Sequence, residues 1–252
     1  MIELILVGIG TGNPDHLTLQ AIKALNGADL ILIPRKGETK ADLAELRRAI
    51  CADVLTNPAT RIVEFDLPVR DERTPDYRRR VDDWHDAIAD VWTRTILAET
   101  ARQGRVALLV WGDPSLYDST LRIAGRLGSS FDLSVTVIPG ITSLQALTAA
   151  HAIPINEIGA PFIVTTGRKL CEEGWPEGVD TTAVMLDGEC SFRAIDPVGV
   201  TIWWGAYVGM KEEITLSGPL ASLADQIVET RARARAEHGW IMDIYVLRRA
   251  TT

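Results

Sequence analysis

Gly8, Gly10 and Gly12 close an apolar run and precede a segment with helical spacing. Glycines there let backbone approach a ligand closely, as dinucleotide and phosphate sites require. The dinucleotide fingerprint fails twice, however. It needs glycine or alanine at position 13, where Asn13 precedes Pro14, and an acidic residue closing the second strand, where Pro34 and Arg35 stand. No Gly-Lys-Ser/Thr follows either, so the loop reads as a tight turn rather than a phosphate cradle. A second cluster is Trp-Gly-Asp-Pro-Ser-Leu-Tyr at 111–117, and a third is Pro-Gly-Ile-Thr-Ser at 139–143. Asp113 can accept from its own turn's NH groups and Pro114 can open the next helix, so turn-building and chemistry are both open to Asp113. His16, His85, His151 and His238 are scattered, and Cys51, Cys171 and Cys190 form no CxxC. No metal site is expected, and the cysteines read as reduced, buried packing thiols.

The elements that must carry these turns follow from periodicity. Short apolar runs at 2–9, 30–33, 61–67, 105–111 and 133–138 read as strands, and helical spacing covers 19–26, 42–50, 75–103, 117–127 and 143–150. Thr18 fits an N-cap and Gly27 a helix stop. This alternation predicts a mostly parallel sheet with helices on both faces, which takes ligands at the carboxyl ends of its strands. All three turns sit there. The second half reads differently: strands at 162–166, 181–186, 200–204 and 240–247 with one long helix at 219–237 predict a mixed sheet. The expected organisation is α/β with two domains, 1–125 and 126–252, the boundary lying in the Gly/Ser-rich stretch 122–132.

Composition limits the partners. The 252 residues carry 26 basic against 34 acidic side chains, a net charge of −8, which disfavours nucleic acid. The N-terminus lacks a basic region, so no signal peptide is expected, and the longest uncharged run, 133–156, is broken by Pro and Gly, so no membrane span is expected. With reduced thiols, this points to the cytoplasm. An anionic ligand would need a local basic pocket. Arg35 and Lys36 after the second strand, and Arg168 and Lys169 after the strand ending at Thr166, supply cations at the expected ligand edges. Arg78, Arg79 and Arg80 stand among acids and read as a solvent-facing helix start.

The stretches VGIGTGNPDHLTLQAIKALNGADLIL, WGDPSLY and VIPGITSLQALTAAHAIP, in this order and spacing, resemble the tetrapyrrole methyltransferase family over essentially the whole chain. WGDPSLYDST, IVTTGRKL, MLDGECSF and IWWGAYVGM are similar to the members that methylate C1 of precorrin-5 and release acetate. The alternative is the member that methylates precorrin-2 at C20. The resemblance implies S-adenosylmethionine as cofactor, in a cleft between two α/β domains, an anionic tetrapyrrole as substrate and a homodimer. It carries cofactor contacts to Thr11, Trp111, Gly112, Asp113, Leu116, Thr142, Ser143, Leu186, Ala206 and Tyr207. Gly10 and Gly12 turn to the substrate, with Arg35, Lys36, Arg168 and Lys169 as clamps.

Methyl transfer from a sulfonium needs positioning and exclusion of water, and no metal or protein nucleophile. Loss of an acyl group needs more: a water, a base and donors for an oxyanion. Asp113, Tyr117 and His16 are the catalytic candidates, with Asp15 and Asp187 beside them; none is singled out by sequence. The aspartate that follows strand two in sirohaem methyltransferases is replaced by Pro34, so that base does not transfer. His151, Trp203 and Trp204 read as core. A carrier that binds the tetrapyrrole without catalysis is the reading from another class, and the three cofactor turns oppose it.

Overall fold

The structure, a computed structural model, describes residues 1–35, 41–70 and 76–250. The chain divides into two units, Met1–Thr142 and Ser143–Thr252. The expected boundary at 125/126 lies too early. β5 (Leu133–Ile138) pairs in parallel with β1 (Ile2–Gly8) from Ile2↔Leu133 to Val7↔Ile138, so it completes the first sheet. The Gly/Ser-rich stretch before it is a connection inside the unit.

The first sheet has the order β3-β2-β4-β1-β5 and is parallel throughout. Its other strands are β2 (Leu30–Arg35), β3 (Arg61–Asp66) and β4 (Gly104–Val110). Period-2 alternation sends alternate residues to opposite faces. Leu4, Leu6, Leu30, Leu32, Val106 and Leu108 pack beneath α3 (Tyr77–Glu99) and α4 (Thr120–Ala124) through Ile88, Trp92, Ile96 and Ile123. Ile5, Val7, Ile31, Ile33, Ala107 and Leu109 pack beneath α1 (Leu19–Asn26) and α2 (Ala41–Val54) through Ala21, Leu25, Ala44 and Ile50. Both faces are dry, which is why these strands read as continuous apolar runs. Thr18 caps α1, its hydroxyl accepting from the Ala21 NH at 3.0 Å. Beyond Leu32↔Leu108, β2 leaves β4 and stays only with β3, to Arg35↔Asp66. The sheet therefore opens between β2 and β4 at its carboxyl end.

The second sheet has the order β6-β7-β10-β8-β9, with β6 (Phe162–Thr166) and β7 (Thr181–Met185) parallel and the other pairs antiparallel. β8 spans Val200–Ala206 and β10 spans Asp243–Arg249, later than the expected 240–247. β9 (Ile214–Pro219) was not expected: an edge strand that alternates half-buried and exposed residues carries a weak apolar signal. α6 (Gly167–Glu173) was also unforeseen; Thr166 caps it by accepting from the Lys169 NH at 3.3 Å. One face packs on α7 (Leu220–His238), the other on α5 (Ser143–Ala150). Trp204 is fully buried, its indole NH donating to Asp243 at 3.0 Å, whereas Trp203 is half-buried under the Arg248 guanidinium. The His151 ring lies 3.0 Å from the Trp204 carbonyl. Cys51 and Cys190 are buried as expected, but Cys171, on the outer side of α6, is exposed.

Candidate functional site

Three turns meet at the carboxyl edge of the first sheet, and glycine is what lets them meet. A Cβ on Gly8 would stand 2.6 Å from the Gly140 nitrogen and 2.9 Å from the Gly112 carbonyl oxygen. A Cβ on Gly140 would strike the same Gly112 oxygen. Gly10 and Gly112 exchange backbone hydrogen bonds at 3.3 and 2.8 Å, and both have positive φ, as has Gly12. The bulk of Trp111 is half-buried on the α1/α2 face, so its backbone, rather than its ring, serves the turn.

Asp113 ties the second turn to the third. One oxygen accepts from the Ser115 NH at 2.8 Å and the Ser115 hydroxyl at 2.5 Å; the other accepts from the Gly140 NH at 2.9 Å. Burial pushes its carboxyl up, but the hydrogen bonds from Ser115 and Gly140 outweigh it and hold it below the ordinary carboxylate value. Asp113 is thus an ionised carboxylate with both oxygens engaged, a poor base. Leu116 follows within this turn, its NH donating to the Asp113 carbonyl at 3.2 Å. Tyr117 ends it in the left-handed region at φ 50°, with 45% of its surface exposed; desolvation pushes its phenol above the ordinary value, so it stays protonated. The left-handed Tyr117 also explains why α4 begins only at Thr120 and not at 117.

The glycine loop holds two buried polar atoms that lack a partner among the described residues, Thr11 Oγ1 and His16 Nδ1; Thr11 is only 4% exposed. Asn13 caps the short 3-10 turn Pro14–His16, accepting from the Asp15 NH at 2.9 Å. Thr142, buried, closes the third turn. Ser143 starts α5 and belongs to the second unit. In the first unit the structure therefore brings together Gly10, Thr11, Gly12, His16, Trp111, Gly112, Asp113, Leu116, Tyr117 and Thr142.

In the second unit, Leu186 follows β7 and Tyr207 follows β8, and both are left-handed, at φ 54° and 52°. Branched and aromatic residues avoid this region, and such strain concentrates where surrounding structure holds a site. Leu186 is 66% exposed. Its neighbour Asp187 is buried and accepts from the Glu189 NH, the Ser191 NH and hydroxyl, and the Tyr245 hydroxyl, the last at 2.6 Å. Burial first, then the Asp187 charge, push the Tyr245 phenol far up, so it remains the donor. Gly167 lies against Asp187 so closely that a Cβ would overlap the carboxyl. Asp187 is thus the anchor of the loop that bends Leu186, and has no lone pair set aside for proton transfer. Ala206 is fully buried, and the Tyr207 ring packs edge-on against Trp240 and His238, which leaves only backbone at these two positions for a ligand.

The expected cationic clamps fare unevenly. Arg35 is already held by Asp66 at 3.0 Å and by Glu64 at 3.7 Å. Lys36 lies outside the described residues. Arg168 and Lys169 are exposed on the first turn of α6, and the Lys169 ammonium pairs with Glu173 at 3.5 Å.

The ledge suits S-adenosylmethionine: glycine backbone in open positive-φ turns for close approach, and an orphaned buried hydroxyl at Thr11 that needs a polar partner.

Comparison with known proteins gives the same reading. Residues 3–224 match the family of Tetrapyrrole (Corrin/Porphyrin) Methylases. The chain is 50% identical over 251 residues to precorrin-6A synthase [deacetylating] of Sinorhizobium sp, covering 99% of this chain and 96% of that one. It is 30% identical over 185 residues to precorrin-2 C(20)-methyltransferase of Sinorhizobium sp, covering 73% and 72%. Among solved structures, the cobalamin synthesis related protein CobF of Corynebacterium diphtheriae superposes with TM-score 0.85 at 39% identity over all of both chains. The chain belongs to the tetrapyrrole (corrin/porphyrin) methylases.

Proposed function

We propose that this chain is the S-adenosylmethionine-dependent C-methyltransferase that converts precorrin-5 to precorrin-6A, methylating C1 and releasing acetate. The observation that carries the substrate is the 50% identity along 99% of the chain to a precorrin-6A synthase [deacetylating]. When bound, S-adenosylmethionine supplies a methyl group activated by its sulfonium. Thr11, Trp111, Gly112, Asp113, Leu116 and Thr142 of the first unit, and Ser143, Leu186, Ala206 and Tyr207 of the second, are proposed to hold it. Most of these contacts fall to backbone, since Asp113 is committed to its turn and the Tyr207 ring to the core.

Gly10 and Gly12 are proposed to border the macrocycle, with Arg168 and Lys169 pairing its carboxylates; Arg35 would first have to release Asp66. For the acyl group, His16 is proposed as the base; its Nδ1, unpartnered among the described residues, supports this reading. It would take a proton from water as the water oxygen bonds the acyl carbon. The bond from that carbon to C1 then breaks, its electron pair stays with the macrocycle and acetate leaves. Tyr117, protonated and partly exposed, would donate to the oxygen that gains charge. Asp113 would orient the turn on which Tyr117 stands. His16→Ala is expected to slow acetate release by about a hundredfold or more.

Among the described residues no helix is long and apolar enough to cross a membrane. A cytoplasmic, homodimeric enzyme is proposed; sedimentation of the purified protein checks the dimer. Turnover of precorrin-5 and of precorrin-2, each followed by mass, tests the reaction. Methylation of precorrin-5 with loss of the acyl group is expected. Methylation of precorrin-2 alone would assign the chain to the C20 reaction instead.

A further inference from the structure

We infer that Arg47 is a substrate-binding residue whose guanidinium, at the opening between β2 and β4, takes a carboxylate arm of the macrocycle. The inference rests on the tetrapyrrole reading above. Arg47 stands on α2. Its Nε donates to the Leu109 carbonyl at 3.1 Å and its Nη1 to the Leu43 carbonyl at 3.1 Å. The Leu109 carbonyl is available because the sheet parts there. Val110 gives its carbonyl to the NH of Ile9, just past β1, so Leu109, one residue earlier, points to the edge that β2 has left. Arg47 therefore sits at the ligand end of a parallel sheet, on the carbonyl of Leu109, two residues before the Trp111–Tyr117 turn.

Arg47 lacks an anion among the described residues. Arg35, Arg48, Arg61, Arg105, Arg231 and Arg248 each hold a carboxylate within 4.0 Å. Arg48, the next residue on the same helix, holds two. Among the described residues Arg47 forms no ion pair. Desolvation pulls its pKa down, and Asp118 opposes this only as a nearby charge. A guanidinium has five donors in a planar fork, and two of them are used among the described residues. A partly buried cation that meets no carboxylate among the described residues is unfavourable until an anion arrives, and a carboxylate matches the fork that remains. Precorrins carry acetate and propionate arms around the ring. The cofactor's methionine carboxylate has the same chemistry, so the test separates the two.

The wild type, Arg47→Met and Arg47→Lys are compared by precorrin-5 turnover, by calorimetry with S-adenosylhomocysteine, by thermal melting, and by quenching of tryptophan fluorescence with uroporphyrin III. Arg47→Met is expected to raise the KM for precorrin-5 and weaken uroporphyrin III binding by about tenfold or more, the worth of one charged hydrogen-bonded contact. The kcat and the affinity for S-adenosylhomocysteine should stay within about threefold, and Arg47→Lys should recover part of the loss, since it keeps charge without the fork. An unchanged KM in Arg47→Met would overturn the inference. So would a loss of S-adenosylhomocysteine affinity in its place, or equal defects in both variants with a lowered melting temperature. If the wild type fails to turn over precorrin-5, the proposed reaction falls. The uroporphyrin III titration then still decides Arg47: no binding to the wild type, or equal affinity in Arg47→Met, overturns it.

Discussion

Asp113 acts through its ionised form, because every hydrogen bond it makes is one it accepts. Its lowered pKa means its stabilising contribution is fully present above the ordinary carboxylate value of 3.8 and is lost as pH falls through the lower folded value. Asp113→Asn is expected to lower stability at pH 7 by about 1–2 kcal/mol, the low end for a partly exposed charged acceptor. Denaturant unfolding at pH 7 and at pH 3 checks this: the gap between wild type and variant should narrow in acid. The sequence leaves Asp113 open both as turn-former and as chemical group, and the structure engages both its oxygens within the turns. Arg47 carried no such hint. A single arginine in LAELRRAI looks like its neighbour, and only the fold shows that Arg48 faces carboxylates while Arg47 faces a gap in the sheet.

At the scale of elements, the candidate residues of each unit stand where strand ends are bent hard by their loops. Gly8→Ala would press a methyl against backbone of the two other turns, where nothing flexible can yield. A loss of about 3 kcal/mol is expected, together with loss of S-adenosylhomocysteine binding by calorimetry. After β7, the strain sits on Leu186 and the restraint on Asp187. Leu186→Gly removes a left-handed leucine that contributes little burial, so it should leave stability unchanged or raise it by up to about 1 kcal/mol while raising the KM for S-adenosylmethionine. Tyr245→Phe removes one hydroxyl donor from buried Asp187 and should destabilise by about 2 kcal/mol, read by thermal melting, with the same rise in KM. A melting temperature that falls in Leu186→Gly would mean the leucine is held there by packing. None of the left-handed residues Tyr117, Leu186 and Tyr207 was legible, because nothing in a leucine or tyrosine announces a positive φ.

For the whole molecule, the parallel first sheet was readable because buried strands are apolar throughout and glycine or proline punctuates each ligand-side end. The unit boundary was not readable. Strand β5 belongs to the first sheet by pairing with β1 across 131 positions of sequence (133 − 2), a long-range choice that local glycine content does not report. The edge strand β9 was lost for a related reason, since its half-exposed alternation and Gly-Pro ending read as loop. The family motifs, by contrast, fall on residues whose backbones make the junction, so the resemblance and the geometry rest on the same glycines. The most direct test is anaerobic turnover of precorrin-5 with S-adenosylmethionine labelled in its methyl group, with acetate assayed alongside mass. The proposed reaction gives one labelled methyl gained and one acetate released per turnover. Methyl gain without acetate, or label on no tetrapyrrole at all, would contradict it.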